Sequence, residues 1–175
     1  MEIDETKLTT YLKTIELWWL FRQVSNLINK AIETELWQLG GVSYHHSKIL
    51  YIVKAIEATG GKATPSEISR WLVLEPHTIS TLLVRMEKGG LIRKTRDLER
   101  KNLVRVSVTD KGEDALGIAA MAQTFTNVLA GLSDKEKDYL EELLYKMRSN
   151  AIGELLKTMP RKRPEDIAAK PQILK

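Results

Sequence analysis

Apolar residues recur at helical spacing over most of the chain, broken by turn signals at regular intervals. The first periodic stretch runs from Lys7 to about Leu39 and carries two apolar faces side by side. Leu8, Tyr11, Ile15 and Trp18 form one, and Leu17, Leu20, Phe21, Val24 and Ile28 form the other. A helix that is apolar so far round its circumference needs a partner surface beyond its own small domain. Ser43 is the expected N-cap of a second helix to about Thr59, with Ile49, Leu50, Ile52, Val53 and Ile56 facing inward. Thr64-Pro65-Ser66-Glu67 has the cap, first-turn proline and acidic partner of a capping box, and opens a third helix whose buried side is Ile68, Trp71 and Leu72. Pro76 opens a fourth. Gly-Gly pairs at 40–41, 60–61 and 89–90 end the first, second and fourth helices, where glycine supplies a left-handed cap.

After Gly90 the period falls from 3.6 to 2. Leu91 to Asp97 and Leu103 to Thr109 flank a polar turn, with Val104, Val106 and Val108 on one face and Leu103, Arg105 and Ser107 on the other, which predicts a β-hairpin. A fifth helix is expected from Thr109-Asp110 through Ala115, Ile118, Ala119, Ala122, Phe125 and Leu129. Ser133-Asp134-Lys135-Glu136, another capping box, opens a sixth with Leu140, Leu143, Leu144, Met147, Ala151, Leu155 and Met159. The predicted architecture is mainly α with a small β-hairpin wing: six helices in all, with a winged helix-turn-helix at about 43–109 embraced by dimerisation helices at about 7–39 and 110–159. Residues 1–159 are expected to form one domain and the proline-rich segment 160–175 a flexible basic tail.

Charge sharpens this picture. Nine basic residues face four acidic ones between Arg85 and Lys111, and five face two between Pro160 and Lys175, whereas the whole chain carries only +4. A basic island on an otherwise acidic protein points to a local polyanion contact. The chain has no cysteine, which excludes disulfides and thiol switches. Its longest apolar run is five residues, Leu17 to Phe21, and its start is acidic. The expectation is therefore a soluble, cytoplasmic protein without membrane contact. With three histidines and no HExxH, no metal or other cofactor is expected, and no catalytic residue either.

The fourth helix carries the chemistry. With Ile79 as the inward reference and about 100° per residue, Leu82, Leu83 and Met86 fall within about 60° of it. His77, Thr81, Val84 and Lys88 land opposite, and Thr78, Ser80 and Arg85 on the flanks. Short hydrogen-bonding side chains at the start of such a helix suit base edges in a major groove.

The segment PHTISTLLVRMEKGGLIRKTRDLERKNLVRVSVTDKG resembles the recognition helix and wing of MarR-family transcriptional regulators. Arg85-Met86-Glu87-Lys88-Gly89-Gly90-Leu91-Ile92-Arg93 follows that family's "R-L-E-x-x-G-L-[VI]-x-R". Asp97, Val106, Val108, Thr109 and Gly112 fall at the separations of its wing pattern. The wing departs from that pattern at Glu99 and Asn102, where the family has arginines; Arg100 is the nearest minor-groove candidate, with Arg96 and Lys101 on phosphate. The resemblance implies a homodimer, acting as a repressor on a palindromic operator in double-stranded DNA. It assigns DNA contacts to Pro76, His77, Thr78, Ser80, Thr81, Arg85, Arg96, Arg100 and Lys101. It also implies a small aromatic ligand, for which Trp18, Trp19 and Arg22 with His45 and His46 are the expected lining. The competing reading is a winged-helix assembly module without operator specificity.

Overall fold

The computed structural model describes residues 4–96, 103–159 and 162–169. Among them are eight helices and one hairpin: α1 (Glu5–Gln38), α2 (Tyr44–Ala58), α3 (Pro65–Leu72), α4 (Pro76–Lys88), β1 (Ile92–Arg96), β2 (Val104–Val108), α5 (Asp110–Ala120), α6 (Thr124–Leu129), α7 (Asp134–Thr158) and α8 (Pro164–Ile167). The fold class is the one expected from the sequence, a winged helix-turn-helix on a mainly helical frame.

The core lies in the winged unit. Ile49, Leu50 and Val53 of α2, Ile68 of α3, Ile79, Leu83 and Met86 of α4, and Ile92 and Val106 of the hairpin are buried together. The hairpin is antiparallel, pairing Ile92 with Val108 through Arg96 with Val104. Its inner edge continues onto the α2–α3 loop, where the Val106 amide donates to the Ala63 carbonyl at 2.9 Å. The wing base is tied to the end of α4 at several points. Thr109 donates from its amide to Leu91 O (3.2 Å) and from its hydroxyl to Gly90 O (2.5 Å). Lys111 Nζ reaches Gly89 O (2.8 Å), and the Lys94 amide and ammonium both meet the Glu87 carboxylate (3.1 and 2.8 Å). That pairing with Lys94 holds the Glu87 carboxyl below the ordinary glutamate range. Gly90 takes φ +73° in this turn, a conformation costly for a residue with a Cβ.

Several sequence expectations change. The predicted fifth helix is two helices, because Glu35 of α1 intervenes. Its carboxylate accepts from the Gln123 amide (2.7 Å), the Thr124 amide (3.0 Å) and the Thr124 hydroxyl (2.5 Å), which starts a fresh helix at Thr124. Thr64 caps α3 by accepting from Glu67 N at 3.2 Å, but Glu67 turns its carboxylate to Arg70 instead of closing the capping box. At Ser133 the box does close. Trp71 and Leu72 are only half-buried. Residues 162–169, expected in a flexible tail, instead fold back from α7 onto α3, where Ala168 is buried. Two arginines hold them there: Arg70 of α3 and Arg148 of α7.

No side chain of α7 is buried, and α1 buries only Ile32 and Leu36. Both long helices leave their apolar residues in the open.

Candidate nucleic-acid interface and adjoining cavity

α4 is fixed on one side by Ile79, Leu83 and Met86 and presents its other side outward. Pro76, His77, Ser80, Thr81 and Arg85 are exposed and Thr78 is half-buried, so six of the nine sequence-selected positions share one accessible face. Val84, on the same face, is 43% exposed. The Ser80 hydroxyl donates to Pro76 O (2.9 Å) and that of Thr81 to His77 O (3.0 Å). In these rotamers both hydroxyls turn lone pairs outward, ready to accept from a base amino group; rotation about the C–O bond makes them donors. Arg96 ends β1 and is exposed beside this helix-and-wing unit. Arg100 and Lys101, like the departures at Glu99 and Asn102, lie outside the described residues.

Arg85 also bears on α2. Burial first, then the positive charges of His45 and Arg85, lower the pKa of His46 from its ordinary value, with Glu33 opposing. The surroundings of His46 therefore favour its neutral form. It is half-buried in the first turn of α2, where its amide donates to Ser43 Oγ, and His45 points outward.

The five residues expected to line an aromatic ligand lie on two helices of the single chain, Trp18, Trp19 and Arg22 on α1 and His45 and His46 on α2. Trp18 and Trp19 lie midway along α1, 50% and 64% exposed, with Trp18 stacked on Phe21 at 5.8 Å. Arg22 is exposed beside them. A different group lines an open apolar cleft of about 610 Å³ between α2, α3, α5 and α6, and none of the five expected residues lines it. Its walls include Tyr44, Lys48, Tyr51, Trp71, Leu116 and Phe125. Lys48 Nζ sits 4.4 Å from the centre of the Tyr44 ring, and burial lowers its pKa from the ordinary lysine value, against the pull of Glu33. The signal was present in the sequence: Tyr44, Lys48 and Tyr51 are spaced i, i+4, i+7 on one face of α2. What periodicity alone lacks is the opposite wall, which comes from α5 and α6 more than sixty residues away.

A helix-turn-helix with a polar outer face, followed by a hairpin stitched to its end, defines a winged-helix DNA-binding unit. Residues 42–112 match a family model described as a winged helix DNA-binding domain. The organohalide-sensing transcriptional regulator RdhR-CbdbA1625 is 30% identical over 94% of this chain and 91% of that one, with TM-scores of 0.71 in its ligand-free form and 0.72 in its 2,4-dichlorophenol-bound form. MepR from S. aureus, in a DNA complex, shares the fold at 22% identity over 75% of this chain and 96% of that one (TM-score 0.67). So does a MarR mutant from E. coli complexed with operator DNA, at 20% identity over 77% and 95% (TM-score 0.68). No curated protein sequence matches the chain. The chain belongs to the MarR family of winged helix-turn-helix transcriptional regulators.

Proposed function

We propose that this regulator is a repressor that binds a palindromic operator as a homodimer and releases it on binding a small aromatic effector. The observation that carries the reading is the outer face of α4, where His77, Ser80 and Thr81 stand exposed over a core-anchored inner face. The first turn of α4 enters the major groove, with Thr78 and Arg85 flanking the base contacts. Arg96 and the wing residues Arg100 and Lys101 follow the backbone. Val84 offers an apolar contact for a thymine methyl.

The homodimer reading is supported by the two long helices. Leu17, Trp19 and Leu20 of α1 and Tyr139 and Met147 of α7 are exposed in one chain, and a symmetric partner would cover them. Two copies then present two recognition helices to half-sites about one turn, ~34 Å, apart. Cytoplasmic residence follows from this role. Among the described residues no single helix is long and apolar enough to cross a membrane.

For the effector, the cavity is better placed than the middle of α1. It is walled by α3, the first helix of the DNA-reading pair, and by α5 and α6, which lead into α7. A ligand that wedges these apart changes the spacing of the two recognition helices, and it releases DNA to the extent that it binds the non-DNA form more tightly. The 2,4-dichlorophenol-bound form of RdhR-CbdbA1625 makes a small aromatic the reasonable first probe.

The test is titration of labelled genomic fragments at several salt concentrations. Sequence preference with a steep fall in affinity as salt rises supports the reading. Equal affinity for every fragment assigns the chain to the assembly-module class instead.

A further inference from the structure

The C-terminal segment beyond α7 plays no part in the function proposed above, yet it is built into the fold. After Met159 the chain reverses, and residues 162–169 lie across α3. Their last stretch is gripped from both sides. From α7, Arg148 Nη2 donates to the carbonyls of Ala168 (3.1 Å) and Ala169 (2.7 Å). From α3, Arg70 Nη1 donates to the Glu165 carbonyl (3.4 Å), while the Arg70 carbonyl accepts from the Ala169 amide (3.1 Å). Ala168 is buried between them. The three guanidinium bonds are charge-assisted and the fourth is backbone to backbone, so all of them hold the segment's main chain whatever its outer side chains.

A second feature of the same place is independent of these bonds. Val73, in the turn between α3 and α4, has φ +52°, ψ +44°. A β-branched residue in the left-handed region is strained. Ser69 of α3 bonds this turn, accepting from the Leu74 amide (3.1 Å) and donating to the Leu74 carbonyl (2.6 Å), and the rest of its surroundings is the cleft it shares with the segment. Val73 and Leu74 of that turn and Pro76 at the start of α4 line one cleft with Leu155 of α7, Met159 just beyond it and Ile167 of the segment. The strained turn sets the angle at which α4 leaves α3.

We infer that residues 162–169 are a tether that locks the α3–α4 turn to α7, so that the pitch of the recognition helix depends on the C-terminal segment. Untethered, the turn relaxes toward unstrained geometries and only part of the population holds α4 in its DNA-ready orientation. Apparent affinity falls in proportion to that part.

Three variants of the full protein test this. Arg148→Met keeps the aliphatic stem and removes the grip from α7. Ala169→Pro removes the amide that binds Arg70. A chain ending at Met159 lacks the tether altogether. Each is compared with wild type by hydrogen–deuterium exchange across residues 65–88 and by DNA affinity as a function of salt. The tether predicts faster exchange in residues 65–88 and a roughly tenfold loss of affinity, with the salt slope unchanged. It also predicts a smaller loss when Val73→Gly has already relieved the turn. Unchanged exchange overturns the inference. So does a loss of affinity accompanied only by a shallower salt slope, which would make the basic tail a simple phosphate contact. The exchange arm needs no DNA, so failure of the DNA-binding reading and failure of the tether are separable.

Discussion

Gly112 of α5 packs against Leu91, just after α4, and against Val108 of the wing, and replacing it with alanine probes that junction. A Cβ built on Gly112 would lie 2.1 Å from the Leu91 carbonyl oxygen and 2.6 Å from Val108 Cγ1. The first contact is with backbone, and it falls short of van der Waals separation by about 1 Å or more. Neither neighbour can swing aside. Leu91 O already accepts from the Thr109 amide, and Val108 is paired with Ile92 in the hairpin. Overpacking of this kind costs about 1–3 kcal/mol. The disturbed Thr109–Leu91 bond adds about 1 kcal/mol, and the better helix propensity of alanine returns about 1 kcal/mol. The net destabilisation is about 2 kcal/mol, equivalent to a fall in Tm of ~4–8 °C for a chain of this size. Gly117, in the same helix, is the control: its added Cβ meets nothing within 4 Å. Gly117→Ala should stabilise by about 0.5–1 kcal/mol through helix propensity and unfolded-state entropy alone. Thermal melts followed by circular dichroism, at one protein concentration because a dimer's Tm depends on it, read both. If Gly112→Ala melts at or above the wild-type temperature, or if the two variants shift alike, the close approach of α5 to Leu91 is refuted.

Other outcomes follow from the same geometry. Thr81→Ala and His77→Ala should each weaken operator binding by ~1–3 kcal/mol and leave random-sequence DNA nearly unaffected; equal losses on both would remove these residues from base recognition. The Glu35 carboxyl is held below the ordinary glutamate value of 4.5, chiefly by the Thr124 hydroxyl and then the Gln123 amide. Its stabilisation of the α1–α6 junction is thus complete above that value and is lost as pH falls through the lower folded-state pKa. The Tm difference between wild type and Glu35→Gln should therefore be constant near neutrality and shrink in acid, and a constant difference across that range would contradict the pairing. Titration with 2,4-dichlorophenol should quench tryptophan fluorescence through Trp71. Ala119→Leu, which fills the cavity, should abolish that quenching and Arg22→Ala should spare it; the opposite pattern would return the ligand to the middle of α1.

What the sequence made legible followed from local chemistry. The caps at Ser43, Thr64, Thr109 and Ser133 accept from the amides expected of them, because a hydroxyl three residues ahead of an amide needs no distant partner. The hairpin was visible in the alternation of Val104, Val106 and Val108, and the polar face of α4 in the angular separation of His77 and Thr81 from Ile79. What was not legible depends on residues far apart in the chain. The break before Thr124 is made by Glu35, eighty-nine positions earlier. Docking of residues 162–169 rests on Arg70 and Arg148, two surface-type side chains whose partners are main-chain carbonyls and leave no trace in composition. Trp18 and Trp19 are conspicuous in the sequence, whereas the walls of the cleft beside α2 come from separate parts of the chain. The apolar cleft forms where α2 faces α3, α5 and α6, and Lys48 is the one charged side chain among its lining residues.

In the proposed function, two copies of the chain read DNA sequence through α4. Its most direct test is selection from a random-sequence duplex library by the purified full-length protein, followed by sequencing of the retained fragments. Dimeric reading predicts enrichment of an inverted repeat whose half-sites are centred about 10–10.5 base pairs apart, or a whole number of such turns. It also predicts that Thr81→Ala changes the preferred bases within each half-site without altering their spacing. Retention of the library with no enriched sequence, or enrichment of a single unrepeated site that Thr81→Ala leaves unchanged, would contradict it.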